Sequence, residues 1–168
     1  MYGVVLFLIL WPVYQLTQML GNHKEDHDAT HLLFQVSLFQ MEILKSNLDT
    51  AAGSKSTNEL DTLKQALYSA EYTHERLVLA AGGESELTTL NFISQLSQYV
   101  QRLQLGGTRA LKTDEAQTLK EAQKQYASMY EVYEKLMASD GGIISSQNAK
   151  LSELDGNLAT FIRKKGLQ

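Results

Sequence analysis

A chain of 168 residues with 43% hydrophobic and 20% charged side chains has the size and make-up of one globular domain with its own core, which excludes a disordered chain. It has no Cys, which excludes disulfides, thiolate metal sites and a cysteine nucleophile. The formal charge of −4 and a single basic cluster, Arg163-Lys164-Lys165, argue against a nucleic-acid partner.

Residues 1–20 carry no charged side chain, and a run of about 18–20 apolar residues is long enough to cross a bilayer as a helix. Nothing basic opens the run and no small-x-small cleavage site follows it. An uncleaved transmembrane anchor is therefore expected, with the lipid bilayer as the partner of residues 1–20. Residues 21–30 read as a polar juxtamembrane spacer. Within it and just beyond, His23, His27 and His31 recur at steps of four among Glu25, Asp26 and Asp28. Neighbouring members of that series on a helix could share a metal such as zinc. The series drifts around the helix axis, so all three do not converge on one ion, and a hydrated linker without a cofactor is the expectation.

Residues 31–168 are expected to form a bundle of helices. The first helix, about 29–49, has Leu32, Val36, Phe39 and Ile43 as its apolar stripe, widened by Leu33, Leu44 and Leu48. A Gly/Ser loop over 50–57 precedes Asn58, with Glu59 and Asp61 as the acidic first turn of the second helix. That helix, about 59–81, carries Leu60, Leu63, Leu67, Ala70, His74, Leu77 and Ala81 at three-four spacing and stops at Gly82-Gly83.

Ser85 or Thr88 is expected to open the third helix, with Ile93, Leu96, Val100 and Leu103 as its stripe and Gly106-Gly107 as its end. Thr113-Asp114-Glu115 starts the fourth, whose stripe is Leu119, Ala122, Tyr126, Met129, Tyr133 and Leu136, ending at Asp140-Gly141-Gly142. These two faces, joined by a Gly-containing break, predict an antiparallel hairpin around which the other helices pack. The fifth, about 145–165, uses Ile144, Leu151, Leu154, Leu158 and Phe161, with its three terminal cations complementing the helix dipole. The fold class predicted is all-α: a transmembrane helix followed by an up-and-down antiparallel bundle of four to five helices.

No nucleophile elbow, phosphate loop or HExxH motif is present, and no catalytic residue is assigned. Glu71 and His74 have the Glu-x-x-His spacing of di-metal bundles, but there is no second copy, so His74 is expected as a hydrogen-bonded residue in the helix seam. Tyr126, Tyr130 and Tyr133, with Tyr99 and Tyr68 nearby, make an aromatic-rich interface. Tyr99, Tyr126, Tyr130 and Tyr133 are the candidates for partner contact.

Two segments resemble the N-terminal region of the YpeB spore-germination proteins: NFISQLSQYV at 91–100 and LKTDEAQTL at 111–119. The order of membrane helix, His/Asp-containing spacer and successive helices is similar as well. The expected Trp and Pro around the second helix are missing, and the likeness does not extend to the family's C-terminal PepSY repeats. The resemblance implies a non-catalytic protein of the spore inner membrane, with its bundle on the external face. It also implies a partner: an envelope protein, the cortex-lytic peptidoglycan hydrolase needed for germination. The rival expectation is a ligand-sensing four-helix-bundle ectodomain that acts through a partner protein.

Overall fold

The structure, a computed structural model, describes residues 23–166, with side chains from residue 29 onward. The expected anchor at 1–20 lies outside the described residues, as do the side chains of His23 and His27. No helix among the described residues is long and apolar enough to cross a membrane.

Five α-helices make up the described chain: α1 (His23–Ala51), α2 (Asp61–Ala80), α3 (Asn91–Gln104), α4 (Thr113–Tyr133) and α5 (Ser145–Gly166). A 3-10 turn at Thr57–Leu60 leads into α2. Helix α1 takes in residues 23–30, which the sequence reading placed in the polar spacer. Helix α2 packs between α1 and α3, and α5 packs on both α3 and α4, while α4 closes on α1. The order around the bundle is thus α1, α2, α3, α5, α4. The helices alternate in direction along the chain, and five is odd, so a closed ring must contain one parallel pair. That pair is α3 and α5: Asn91 meets Asp155 at one end, and Arg102 meets Gly166 at the other.

This order corrects the expected hairpin. The backbones of α3 and α4 do not lie side by side, because the intervening residues 105–112 carry the chain across the end of the bundle. That crossing segment is laced to the loop before α2: Thr57 N–H donates to Arg109 O (2.9 Å) and Leu111 N–H to Lys55 O (2.8 Å). The two helices meet through side chains, among them Phe92 and Tyr126, whose rings stand 5.4 Å apart. Gly82-Gly83 and Gly106-Gly107 follow the ends of α2 and α3, but α4 stops at Tyr133, short of the expected end at Asp140-Gly141-Gly142. The length and bonding of each connecting segment decide which neighbour comes next.

The stripe expected on the first helix also faces the other way. Phe34, Met41, Leu44, Leu48 and Ala51 are buried, with Ser37 among them, whereas Leu32, Val36 and Phe39 point outward. Both sets have three-four stepping, and the inward one continues apolar to Ala51, five turns in all, while the outward one runs into Ser46 and Thr50. Burial follows the longer stripe. On the other helices, the expected stripes are buried as read, except that Ala81, Ile144, Leu154 and Phe161 are only partly covered and Ile162 takes the inner position on α5.

Candidate functional site

A buried polar cluster sits where α1, α2 and α4 converge. His74 lies on the buried face of α2 in register with Leu67, Ala70 and Leu77. Its Nε2 is 2.9 Å from Thr88 O. A carbonyl only accepts, so Nε2 carries the proton. Nδ1 then accepts from Tyr133 Oη at 2.9 Å, and Tyr133 in turn accepts from Ser37 Oγ at 2.7 Å. Phe34 stacks on the Tyr133 ring. Burial pushes the His74 imidazole down to about 4 and the Tyr133 phenol up, so both groups are neutral near pH 7. Every polar atom in this chain of bonds is satisfied, and the arrangement fixes three helices and the α2–α3 loop to one another.

Two carboxylates are buried in the same manner. Asp155 accepts the Phe92 N–H at 2.8 Å and the Asn91 amide at 3.2 Å. Burial raises its carboxyl, with those hydrogen bonds opposing. Helix α3 has no side-chain cap of its own, because Leu90 stands at its N-cap, and Asp155 on α5 supplies the missing acceptor. Glu115 receives both guanidinium nitrogens of Arg109, at 2.8 and 2.7 Å, and the Lys112 N–H at 2.8 Å. The Arg109 guanidinium holds the Glu115 carboxyl below the usual carboxylate range. This pair secures the start of α4 and the crossing segment.

The sequence-predicted candidates are placed as follows. Tyr99, Tyr126, Tyr130 and Tyr133 are all buried, so none of the four offers its ring to a partner; they are core residues that anchor α3 and α4. Tyr126 donates to Met41 O at 2.8 Å, Tyr99 bonds to the Thr118 side chain, and Lys45 lies 5.4 Å above the Tyr130 ring. For Tyr126, Tyr130 and Tyr133, burial follows from their register with the apolar stripe of α4. Among the described residues no group of three or more His, Asp or Glu side chains is arranged to hold a metal ion. His31 has Gln35 Nε2 at 3.4 Å from its Nδ1. Glu71 is half-buried beside His74, whose two ring nitrogens are both engaged.

The exposed tyrosines lie on another helix. Tyr68 and Tyr72, with Leu79 further along, face directly away from the buried side of α2, at 72%, 55% and 65% exposure. The Arg76 guanidinium stands 5.2 Å from the Tyr72 ring centre. Residues 68, 72, 75, 76 and 79 fall on one outward strip at helical spacing; of these only Tyr68 was singled out from the sequence, as part of the aromatic-rich interface, because the inward stripe of α2 is so regular. The signal was present: Tyr at 68 and 72 steps by four on the face opposite Leu63, Leu67, Ala70 and His74. Asp155 was missed likewise, although a carboxylate in step with Leu151, Leu158 and Ile162 is a buried polar position by its register alone.

Comparison with protein-family models, with curated proteins and with solved structures gives no match.

Proposed function

We propose that the protein is a membrane-anchored, non-catalytic helical scaffold that holds an envelope partner against the outer face of α2. The observation that carries this reading is the strip of Tyr68, Tyr72, Arg76 and Leu79. Tyr and Arg are the residue types that most often dominate binding energy at protein interfaces. Here they are held on a rigid helix, and the Arg76–Tyr72 contact pre-orders two of them before binding. The buried polar groups support the same reading, since His74, Asp155 and Glu115 each spend their bonding capacity on joining helices.

The resemblance of residues 91–100 and 111–119 to the YpeB family supplies the partner in this proposal: a cortex-lytic peptidoglycan hydrolase at the spore inner membrane. The apolar run at 1–20 tethers the bundle there, facing outward. Confinement to the membrane surface raises the effective concentration of scaffold and partner, so a modest contact area suffices.

The full chain in lipid nanodiscs, titrated with a purified cortex-lytic hydrolase, tests this reading. The wild type binds, and Tyr68→Ala combined with Tyr72→Ala weakens binding by about a hundredfold, as loss of two interface anchors should. A hydrolase that does not bind the wild type overturns the choice of partner. Binding that survives the double substitution removes the docking face from α2.

A further inference from the structure

We infer that the outward stripe of α1 is a self-association seam, and that it takes the same helix of a second copy in parallel register. Leu32, Val36 and Phe39 are 63%, 43% and 58% exposed, and half-buried Ile43 continues the line. Their steps of four, three and four are those of the a and d positions of a coiled coil. The opposite face of α1 is already committed to the core through Phe34, Met41, Leu44 and Leu48. The seam therefore lies on the outer edge of the bundle, where a second bundle can back onto it without either one opening.

The positions beside the seam select the occupant. With Val36 and Ile43 as a and Leu32, Phe39 and then Ser46 as d, the flanking g positions are Gln35 and Glu42, and the flanking e positions are Leu33, Gln40 and Asn47. In a parallel pair each g faces the e five residues on in the other copy. The pairings are Gln35 with Gln40 and Glu42 with Asn47, so no like charges meet and each pair can share a hydrogen bond. The stripe is also self-matching, since in a two-fold pair each apolar layer meets its own copy.

Two heptads are a short seam, too short to hold a dimer tightly by itself. The apolar run at residues 1–20 ends twelve residues before Leu32. The parallel register rests on the proposal that this run is a membrane tether. Two tethered copies would enter the seam pointing the same way and at high local concentration. The α1 seam and the α2 strip lie on different helices, so pairing of the scaffold leaves its docking face open.

The native chain has no Cys, so one introduced thiol reports cleanly. Ser46 continues the seam one heptad beyond Phe39 and is exposed, whereas Ser152 is exposed on α5, which does not pack on α1. The full chain is reconstituted in phosphatidylcholine vesicles, checked by flotation, and oxidised. Ser46→Cys is expected to give a disulfide-linked dimer and Ser152→Cys to give none. Adding Phe39→Glu to Ser46→Cys should lower the linked fraction about tenfold, while the melting temperature stays within a few degrees because Phe39 is outside the core. Absence of the Ser46 link, or equal linking at Ser46 and Ser152, overturns the seam. Protein that fails to float with the vesicles overturns the tether instead; the same oxidation at high protein concentration in detergent then decides the seam separately.

Discussion

Tyr133 Oη lies 2.9 Å from His74 Nδ1, and that contact fixes how the middle of the bundle responds to protons. With Nε2–H given to Thr88 O and Nδ1 accepting from Tyr133, the ring is neutral and both nitrogens are used. Protonating Nδ1 would place a second donor against the phenol and a charge in the core. Burial accordingly pushes the imidazole down to about 4, against about 6.5 in an unfolded chain.

Stability should therefore depend on acid in a defined direction. Because the folded value is depressed, the unfolded chain takes up the proton first as pH falls below about 6.5, and folding weakens until the folded value near 4 is reached. The loss across that window is on the order of 3 kcal/mol. Burial shifts Asp155 upward, which acts with the opposite sign, since the folded form then binds a proton before the unfolded one. The net loss between pH 7 and pH 5 is thus a cleaner measure of His74 than the acid limit. Urea unfolding at the two pH values checks it, together with the imidazole proton shifts in the NMR spectrum. A His74 resonance titrating near 6.5 would contradict this account.

Removing the phenolic hydroxyl separates packing from hydrogen bonding. Tyr133→Phe keeps the ring against Phe34 but leaves His74 Nδ1 without its donor and Ser37 without its acceptor. The expected cost is about 1–3 kcal/mol, the penalty for stranding buried polar atoms. Ser37→Ala removes a partner from the end of the chain of bonds and should cost less. The two substitutions share Tyr133 Oη, so their effects in a double-mutant cycle should fall short of additivity. Equal and independent losses would show that the three side chains do not act as one network.

What could be read from the sequence was set by periodicity. The inward faces of α2, α3 and α4 were legible because one apolar stripe on each helix has no competitor. On α1 two stripes compete, and only the total burial over five turns decides between them, which spacing alone does not weigh. The α3–α4 neighbourhood was misread because a pair of glycines says that a helix ends without saying where the chain goes. The start of α3 was placed too early, at Ser85 or Thr88, because the rule for helix starts looks for a local cap. The acceptor there comes from Asp155, more than sixty residues away in sequence. For the tyrosines, composition suggested contact with a partner, and the register of Tyr126, Tyr130 and Tyr133 with the α4 stripe already pointed inward.

Helix termini offer a contrast that tests backbone strain. Gly82 follows α2 with φ of +106°, and a Cβ there would stand 3.1 Å from Glu86 Cγ. Gly53 follows α1 without a positive φ and would meet only Thr50 O, at 3.5 Å. Gly82→Ala should therefore cost about 1–2 kcal/mol. Gly53→Ala should be neutral or should stabilise by about 0.5 kcal/mol through the unfolded chain. Thermal denaturation of both variants gives the comparison, and similar shifts in the same direction would refute the assignment of strain to Gly82.

The cap that α5 lends to α3 makes the final prediction, because two substitutions at one position divide its charge from its geometry. Asp155→Ala leaves the buried Phe92 N–H without an acceptor and takes the negative charge from the N-terminus of α3. The expected loss is about 2 kcal/mol, combining an unmet donor with the dipole contribution. Asp155→Asn keeps an oxygen for Phe92 N–H and removes the cost of burying a charge. The new amide opposes that of Asn91, which can rotate to present its oxygen instead. That variant should lose less than about 1 kcal/mol. It should also lose the acid-side compensation that Asp155 gives against His74, so its stability should fall more steeply than the wild type's below pH 5. Amide hydrogen exchange across residues 91–96 localises the effect. Fast exchange there in Asp155→Ala alone supports the borrowed cap, and unchanged protection in both variants would mean that α3 starts without it.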